Sequence, residues 1–322
     1  MAERPSSNGR MSATTELPLA AARAMTDRLP VAALAARAAR SLGAVLPTGA
    51  LAERVTSAVP AGDLDARDTD YIRETLPGLW LIASRYFRAD VQGLHHVTPE
   101  GPVLLVGNHS GGIVAPDLFV FVLAFSTYFG VERPFYQLAH NLVVAGPTGM
   151  LVRPFGTIAA SRQNAEAALK ADAAVLVYPG GDYEVFRPSW EQSKVDFGGR
   201  KGYVRTALKL GVPLQPVVSI GSQETALFIT RGERLARLTG AARLLRLKTL
   251  PIALGLPFGI VPVLFGHLPL PAKISVRVLP PIDLKERYGS KPDVDEIDRD
   301  IRAQMQDVLT SLAEDRRLPV LG

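Results

Sequence analysis

Between residues 103 and 279, short apolar runs alternate with segments of helical periodicity, and nothing else constrains the fold of this 322-residue chain as strongly. The run V-L-L-V at 103–106, the run A-A-V-L-V-Y at 173–178 and the stretch G-V-P-L-Q-P-V-V-S-I at 211–220 read as strands, with a further strand expected near 135–140 and a last one at 274–279. Helical segments at 118–131, 162–170 and 201–210 lie between them. Strands joined through helices imply an α/β fold with a mixed, largely parallel sheet flanked by helices.

The flanks carry different patterns. Residues 1–29 are expected to be disordered, and 31–45, rich in alanine and leucine with Arg37 and Arg40 at the side, reads as a peripheral helix. The stretch 70–88 reads as helical, kinked or restarted near Pro77 and Gly78. Val294, Ile297, Ile301, Met305, Val308 and Leu312 recur at the spacing of an amphipathic C-terminal helix. The expected organisation is an N-terminal extension at 1–65, one domain at 66–290 and a packed C-terminal helix at 291–322.

Two adjacent segments point to a lipid surface. Residues 231–248 hold six cations and one acid with leucines between the arginines, the composition of a helix lying on anionic lipid or of a solvated helix face. Residues 249–272 hold no charge but five prolines and three glycines, too many for a regular spanning helix, so a hairpin that dips into a membrane interface or roofs an acyl tunnel is expected. The formal charge of +5 is local rather than spread, and aromatics do not interleave the basic residues, which favours an anionic surface or substrate over nucleic acid. The chain has no cysteine, excluding disulfides, thiolate ligands and thiol nucleophiles. No signal-peptide pattern is read, so the protein is expected at the cytoplasmic side of a membrane, peripheral or monotopic. His95 and His96 have no ligand partner at metal spacing, and no metal is expected.

The chemistry-bearing stretch is G-N-H-S-G-G-I-V-A-P-D at 107–117. It joins the end of an expected strand to a helix start, where Pro116 and Asp117 suit the first turn. An uninterrupted helix would separate His109 and Asp117 by roughly 12 Å, but a glycine loop that folds back brings them into hydrogen-bond contact. The alternative is a loop histidine bonded to backbone and an aspartate that only caps the helix. Ser110 offers a further reading, because N-H-S-G-G approaches the nucleophile elbow of a serine esterase, although Asn108 stands where the first glycine belongs. A non-catalytic lipid-binding protein is the third reading.

Taken in order, four blocks resemble the glycerolipid acyltransferase superfamily, which includes phosphatidate-forming lysophospholipid acyltransferases and their diacylglycerol acyltransferase-like and phytyl-ester-synthase-like relatives. Asn108, His109 and Asp117 look like the first block; Gly156 to Ser161 with Arg162 keep the spacing of the second; Tyr178, Pro179, Gly180 and Gly181 look like the third; and the run V-P-L-Q-P-V, containing Pro213, looks like the fourth. The resemblance implies a membrane-associated O-acyltransferase with His109 as base, Asp117 orienting it, and Gly156, Arg162, Pro179, Gly180, Gly181 and Pro213 around the substrates. It implies acyl-CoA or acyl carrier protein as donor substrate, a lipid acceptor and no separate cofactor. Two departures stand out: seven residues rather than four separate His109 from Asp117, and G-G-D-Y replaces the E-G-T-R that the family sets around a phosphate. A neutral acceptor is therefore expected, with Arg153, Arg162 and Arg187 the remaining cations for an anionic contact.

Overall fold

The computed structural model describes residues 59–146, 148–191, 193–238, 249–255, 259–262, 268–316 and 318. The expected N-terminal disorder and helix, and positions 239–248 of the basic stretch, lie outside the described residues.

Ten strands are described: β1 (Asp90–Gln92), β2 (Val103–Gly107), β3 (Phe135–Ala139), β4 (Thr157–Ala159), β5 (Ala174–Val177), β6 (Leu214–Ile220), β7 (Leu227–Thr230), β8 (Ile252–Gly255), β9 (Gly259–Pro262) and β10 (Ser275–Val278). Seven form one sheet in the order β1-β10-β6-β2-β5-β3-β4. Every pairing is parallel except β10 against β6, so the expected mixed, largely parallel sheet is borne out. β2 is central, and all five of its residues are buried. Its side chains alternate between two cores: Leu104 and Val106 enter one, Val103 and Leu105 the other. That alternation is the period-two geometry of a strand covered on both faces.

One face carries α1 (Thr69–Arg85) and α2 (Pro116–Phe129), packed through Phe121, Phe125 and Phe135. The other carries α3 (Arg162–Lys170), α4 (Gly202–Leu210) and α5 (Val294–Glu314). Ser161 caps α3 by accepting the Asn164 N–H at 3.0 Å, and Asp293 caps α5 by accepting the Asp295 N–H at 2.9 Å. In α5, Ile297, Ile301, Met305, Leu309 and Leu312 face the core, as the periodicity requires.

One segment differs from expectation and another meets it. α1 is one continuous helix through Pro77 rather than two, and Pro77 and Gly78 both lie on its exposed side. Among the described residues of the charge-free segment the expected hairpin is present as β8 and β9, paired antiparallel, and β7 extends them to a three-stranded second sheet. Pro251 precedes β8, and Pro262 ends the edge strand β9, positions where a missing N–H costs little. Leu250, Ile252 and Ala253 are buried, so this half of the segment belongs to the protein core. The stretch Gly112–Phe129 is long and apolar enough to cross a membrane, but 61% of it is buried inside the fold, and its helix α2 packs in the core.

Candidate active site

β2 ends at Gly107, where a Cβ would overlap the ring of Tyr178 at the end of the neighbouring β5. The missing side chain lets that ring lie against the next functional group, His109. Asn108 holds the strand end to β6: its carboxamide donates to the Ser219 carbonyl at 2.9 Å and accepts the Ser219 N–H at 2.8 Å.

His109 Nδ1 lies 3.0 Å from Asp117 Oδ2. The seven-residue interval between them is absorbed by a one-turn 3₁₀ segment, Gly112–Val114, entered through Gly111 at φ 90° and left through Ala115 at φ 43°. Alanine in left-handed backbone is strained, and surrounding packing must hold it there. A Cβ on Gly111 would stand 2.6 Å from Pro116 Cδ and 2.9 Å from the Ser222 carbonyl oxygen, so only glycine permits the loop to fold this closely.

Asp117 is fully buried, yet three donors satisfy it: the imidazole, the Ser110 N–H at 2.8 Å to Oδ2, and the Leu118 N–H at 2.8 Å to Oδ1. Its place in the first turn of α2 adds the favourable end of the helix dipole. An imidazole that donates from Nδ1 to a carboxylate keeps its lone pair on Nε2. The Tyr178 ring stacks on the imidazole at 4.2 Å and 17°. Burial, reinforced by Asp117 and Glu184, pushes the Tyr178 hydroxyl well above its ordinary pKa, so it stays neutral beside the pair.

Beneath the loop lies a group that sequence reasoning missed. Glu184, in the short helix Gly181–Val185, is fully buried; it accepts the His109 N–H at 3.0 Å and the Asp196 N–H at 3.1 Å, and pairs with Arg187 at 2.6 Å. Burial raises its pKa, opposed by the Arg187 charge and both N–H bonds. The sequence D-Y-E-V-F-R carries no local sign of which acid turns inward. Asp182 instead pairs with Arg200 near the surface, and Arg200 also donates to the Gly180 carbonyl at 2.7 Å.

His109 opens on a cavity of about 1710 Å³. Its wall divides between the two core faces: Leu79, Phe119, Val122, Leu123 and Phe155 belong to the α1–α2 side, and Leu104, Leu138, Ala165, Val177 and Tyr203 to the α3–α4 side. His109, Tyr178 and Pro179 lie on the wall at the carboxyl ends of β2 and β5, where open α/β sheets bind ligands. Thr249 and Pro251, before β8, also line it, so the charge-free segment contributes to the cavity wall.

Of the expected substrate-binding residues, Arg162, Pro179 and Gly181 line the cavity. Gly156, Gly180 and Pro213 do not. Gly156 makes a left-handed turn against the Phe135 carbonyl, and Gly180 makes room for the Glu184 side chain. Pro213 presents its carbonyl to the Leu104 N–H at 3.0 Å. The two glycines sit where a Cβ would collide, and the Pro213 carbonyl meets a neighbouring strand. Arg153 lies on the wall, whereas Arg187 is locked inside with Glu184 and cannot meet an anionic ligand. Ser110 is 6% exposed, gives its N–H to Asp117 and is not on the cavity wall, an arrangement unlike a nucleophile's. His96 Nδ1 meets the Val278 carbonyl at 3.0 Å, a structural bond. Among the described residues no group of acids and histidines is arranged to hold a metal.

Residues 66–319 match the profile of the family described as Diacylglycerol acyltransferase. An uncharacterised protein of Mycobacterium tuberculosis is 28% identical over 246 residues, covering 75% of this chain and 66% of its own length. Phytyl ester synthase 1, chloroplastic, of Arabidopsis thaliana is 29% identical over 139 residues, 42% of this chain and 20% of that protein. The crystal structure of the 1-acyl-sn-glycerophosphate acyltransferase PlsC from Thermotoga maritima superposes with a TM-score of 0.48 at 17% identity, over 87% of this chain and 93% of that one.

Proposed function

The chain belongs to the diacylglycerol acyltransferase family, and on that premise we propose that it transfers a fatty acyl group from a thioester to the hydroxyl of a lipid, with His109 as general base. The observation that carries the reading is the His109–Asp117 pair, with His109 on the wall of a large, mainly apolar cavity. Nε2 takes the proton of the acceptor hydroxyl as its oxygen attacks the thioester carbonyl. The tetrahedral intermediate collapses with loss of the thiolate, which recovers the proton from the imidazolium. Asp117 keeps the imidazole in the required tautomer and stabilises its cation. No covalent enzyme intermediate is needed, because the thioester arrives activated. The developing oxyanion falls to the amide of Gly112, which lines the cavity, since the Gly181 N–H already donates to the Tyr178 carbonyl at 3.0 Å.

The donor is acyl-CoA or an acyl carrier protein, with Arg153 and Arg162 on the cavity wall for its phosphates, and no separate cofactor takes part. With Arg187 enclosed, the reading favours a neutral lipid alcohol as acceptor. Labelled acyl-CoA and acyl carrier thioesters offered with a panel of lipid alcohols should yield an ester; no product with either donor across the panel would end this reading. The Ser110→Ala variant should keep turnover within about threefold of wild type, since only its backbone N–H touches the pair. Collapse of activity there would instead favour a serine esterase.

Association with the cytoplasmic face of a membrane belongs to the same proposal, without a nucleic-acid partner. Met150 and Leu151 are 74% and 63% exposed beside the cavity they help to line, with Ile113 and Val114 also exposed on its wall. An apolar rim of this kind suits entry of lipid from a bilayer. Replacing Met150 and Leu151 together by glutamine should cut co-sedimentation with anionic liposomes several-fold. Unchanged pelleting removes this rim from the account.

A further inference from the structure

The α1–α2 side of the cavity has a polar group on its otherwise mainly apolar wall. Gln137, in the middle of β3, is 3% exposed and lines the cavity. Its neighbours Tyr136 and Leu138 pack toward the α3–α4 core, so strand alternation turns Gln137 to the opposite face, with Phe119, Leu123 and Phe155. Its Nε2 donates to Thr157 Oγ1 at 2.7 Å, and Oε1 is buried with no partner among the described residues. Turning the carboxamide over exchanges its ends but does not help, because the single Thr157 hydroxyl serves only one of them. A buried amide group without a partner is costly, and a wholly hydrocarbon ligand would keep it so. A hydroxyl, which both donates and accepts, satisfies either orientation.

Strand register places this group far from the chemistry. Gln137 stands opposite Leu176, and Leu176 opposite Leu105, so Gln137 is two strands from β2, roughly 10 Å sideways, while His109 follows Leu105 by four residues, up to about 13 Å along the strand. The neighbouring hydroxyls of a glycerol whose oxygen is being acylated do not reach that far.

Resting on the acyl-transfer reading, we infer that this side of the cavity takes the hydrocarbon chain of an acyl donor bearing a hydroxyl partway along its length, and that Gln137 with Thr157 selects it. The chain lies against Leu79, Phe119, Val122 and Leu123, and its hydroxyl fills the vacant position on the carboxamide. A pocket that hydrogen-bonds a ligand hydroxyl discriminates strongly against the analogue lacking it, because the pocket's own polar group is then left bare.

The probes are stearoyl-CoA and a series of monohydroxylated stearoyl-CoAs in which the hydroxyl is moved along the chain. Wild-type protein should prefer one hydroxyl position over the unsubstituted chain by about tenfold or more in kcat/KM, and Gln137→Leu should bring that ratio to within about twofold of unity. The free acids, competing with a fluorescent fatty acid for the cavity, should show the same selectivity and its loss without any turnover. Equal affinity of wild type for plain and hydroxylated chains, the result expected if only a water satisfies Gln137, overturns the inference, as does an unchanged preference in Gln137→Leu. Failure of every thioester to turn over, with selective binding of the free acids intact, would instead strike at the acyl-transfer reading. Because Gln137→Leu is a buried change, its melting temperature is measured alongside, and the wild-type preference stands as a test that needs no variant.

Discussion

His109→Ala should lower kcat/KM for acyl transfer by about 10²–10⁴-fold while leaving the protein folded and still able to bind a fatty acyl chain. The imidazole is a base held by a buried carboxylate on the cavity wall, and its removal leaves the acceptor hydroxyl to lose its proton to water. Folding is expected to survive because the side chain is 14% exposed and lies beyond the carboxyl end of β2 rather than in either core. The loss should fall on kcat, since the apolar walls that hold the chain are untouched. Asp117→Asn should give a smaller loss on a folded protein, because Asn retains an acceptor for one of the two backbone N–H groups but no longer fixes the tautomer or stabilises the imidazolium. Steady-state kinetics with a circular dichroism melt separates the cases. Activity above a tenth of wild type in His109→Ala would leave the imidazole without its assigned part.

Arg187→Leu should destabilise the protein by about 3–5 kcal/mol, because it strands the Glu184 carboxylate in a place that water does not reach. Both side chains are almost completely buried, 3% and 0% exposed, so solvent screening offers little relief. At roughly 2–4 °C per kcal/mol for a domain of this size, the melting temperature should drop by about 6–20 °C. The deficit should also depend on pH. Burial already raises the Glu184 pKa, and loss of the Arg187 charge raises it further, so the folded variant binds a proton that the unfolded chain has released. A carboxyl raised in the folded state contributes most below its unfolded pKa and loses that contribution as pH climbs toward the folded value. The gap between variant and wild type should therefore narrow toward pH about 4.5 and widen toward neutrality. Denaturant titrations across that range measure it; a gap that is flat with pH, or below about 1 kcal/mol, would mean the pair carries little. The same variant should slow turnover at temperatures where it remains folded, because Glu184 also holds the His109 N–H.

Reading the chain unaided recovers five of the seven strands of the main sheet and its longer helices, because burial leaves its mark residue by residue along each element. The apolar runs of β2, β5 and β6, the proline and aspartate that start α2 and the heptad-like row in α5 all report on their own surroundings. The histidine and the acid were legible for the same reason: glycines beside a buried strand end mark a tight corner. The helix expected to kink or restart near Pro77 does not restart there, and which of its sides meets water is decided by packing.

Nothing along the chain could reveal how the corner closes or what lies around it. The meeting of His109 and Asp117 depends on left-handed backbone at Gly111, Gly112 and Ala115, a choice of a few dihedral angles that leaves no periodic trace. The stacking of Tyr178 on His109, and the buried, unpartnered carboxamide oxygen of Gln137, depend on β5 lying between β2 and β3, an order set by contacts between residues distant in the chain. Burial of Arg187 and the retreat of Gly156 and Pro213 from the cavity have the same origin. Local pattern tells a side chain whether it faces core or solvent; only the assembled sheet decides which other side chain it will face there.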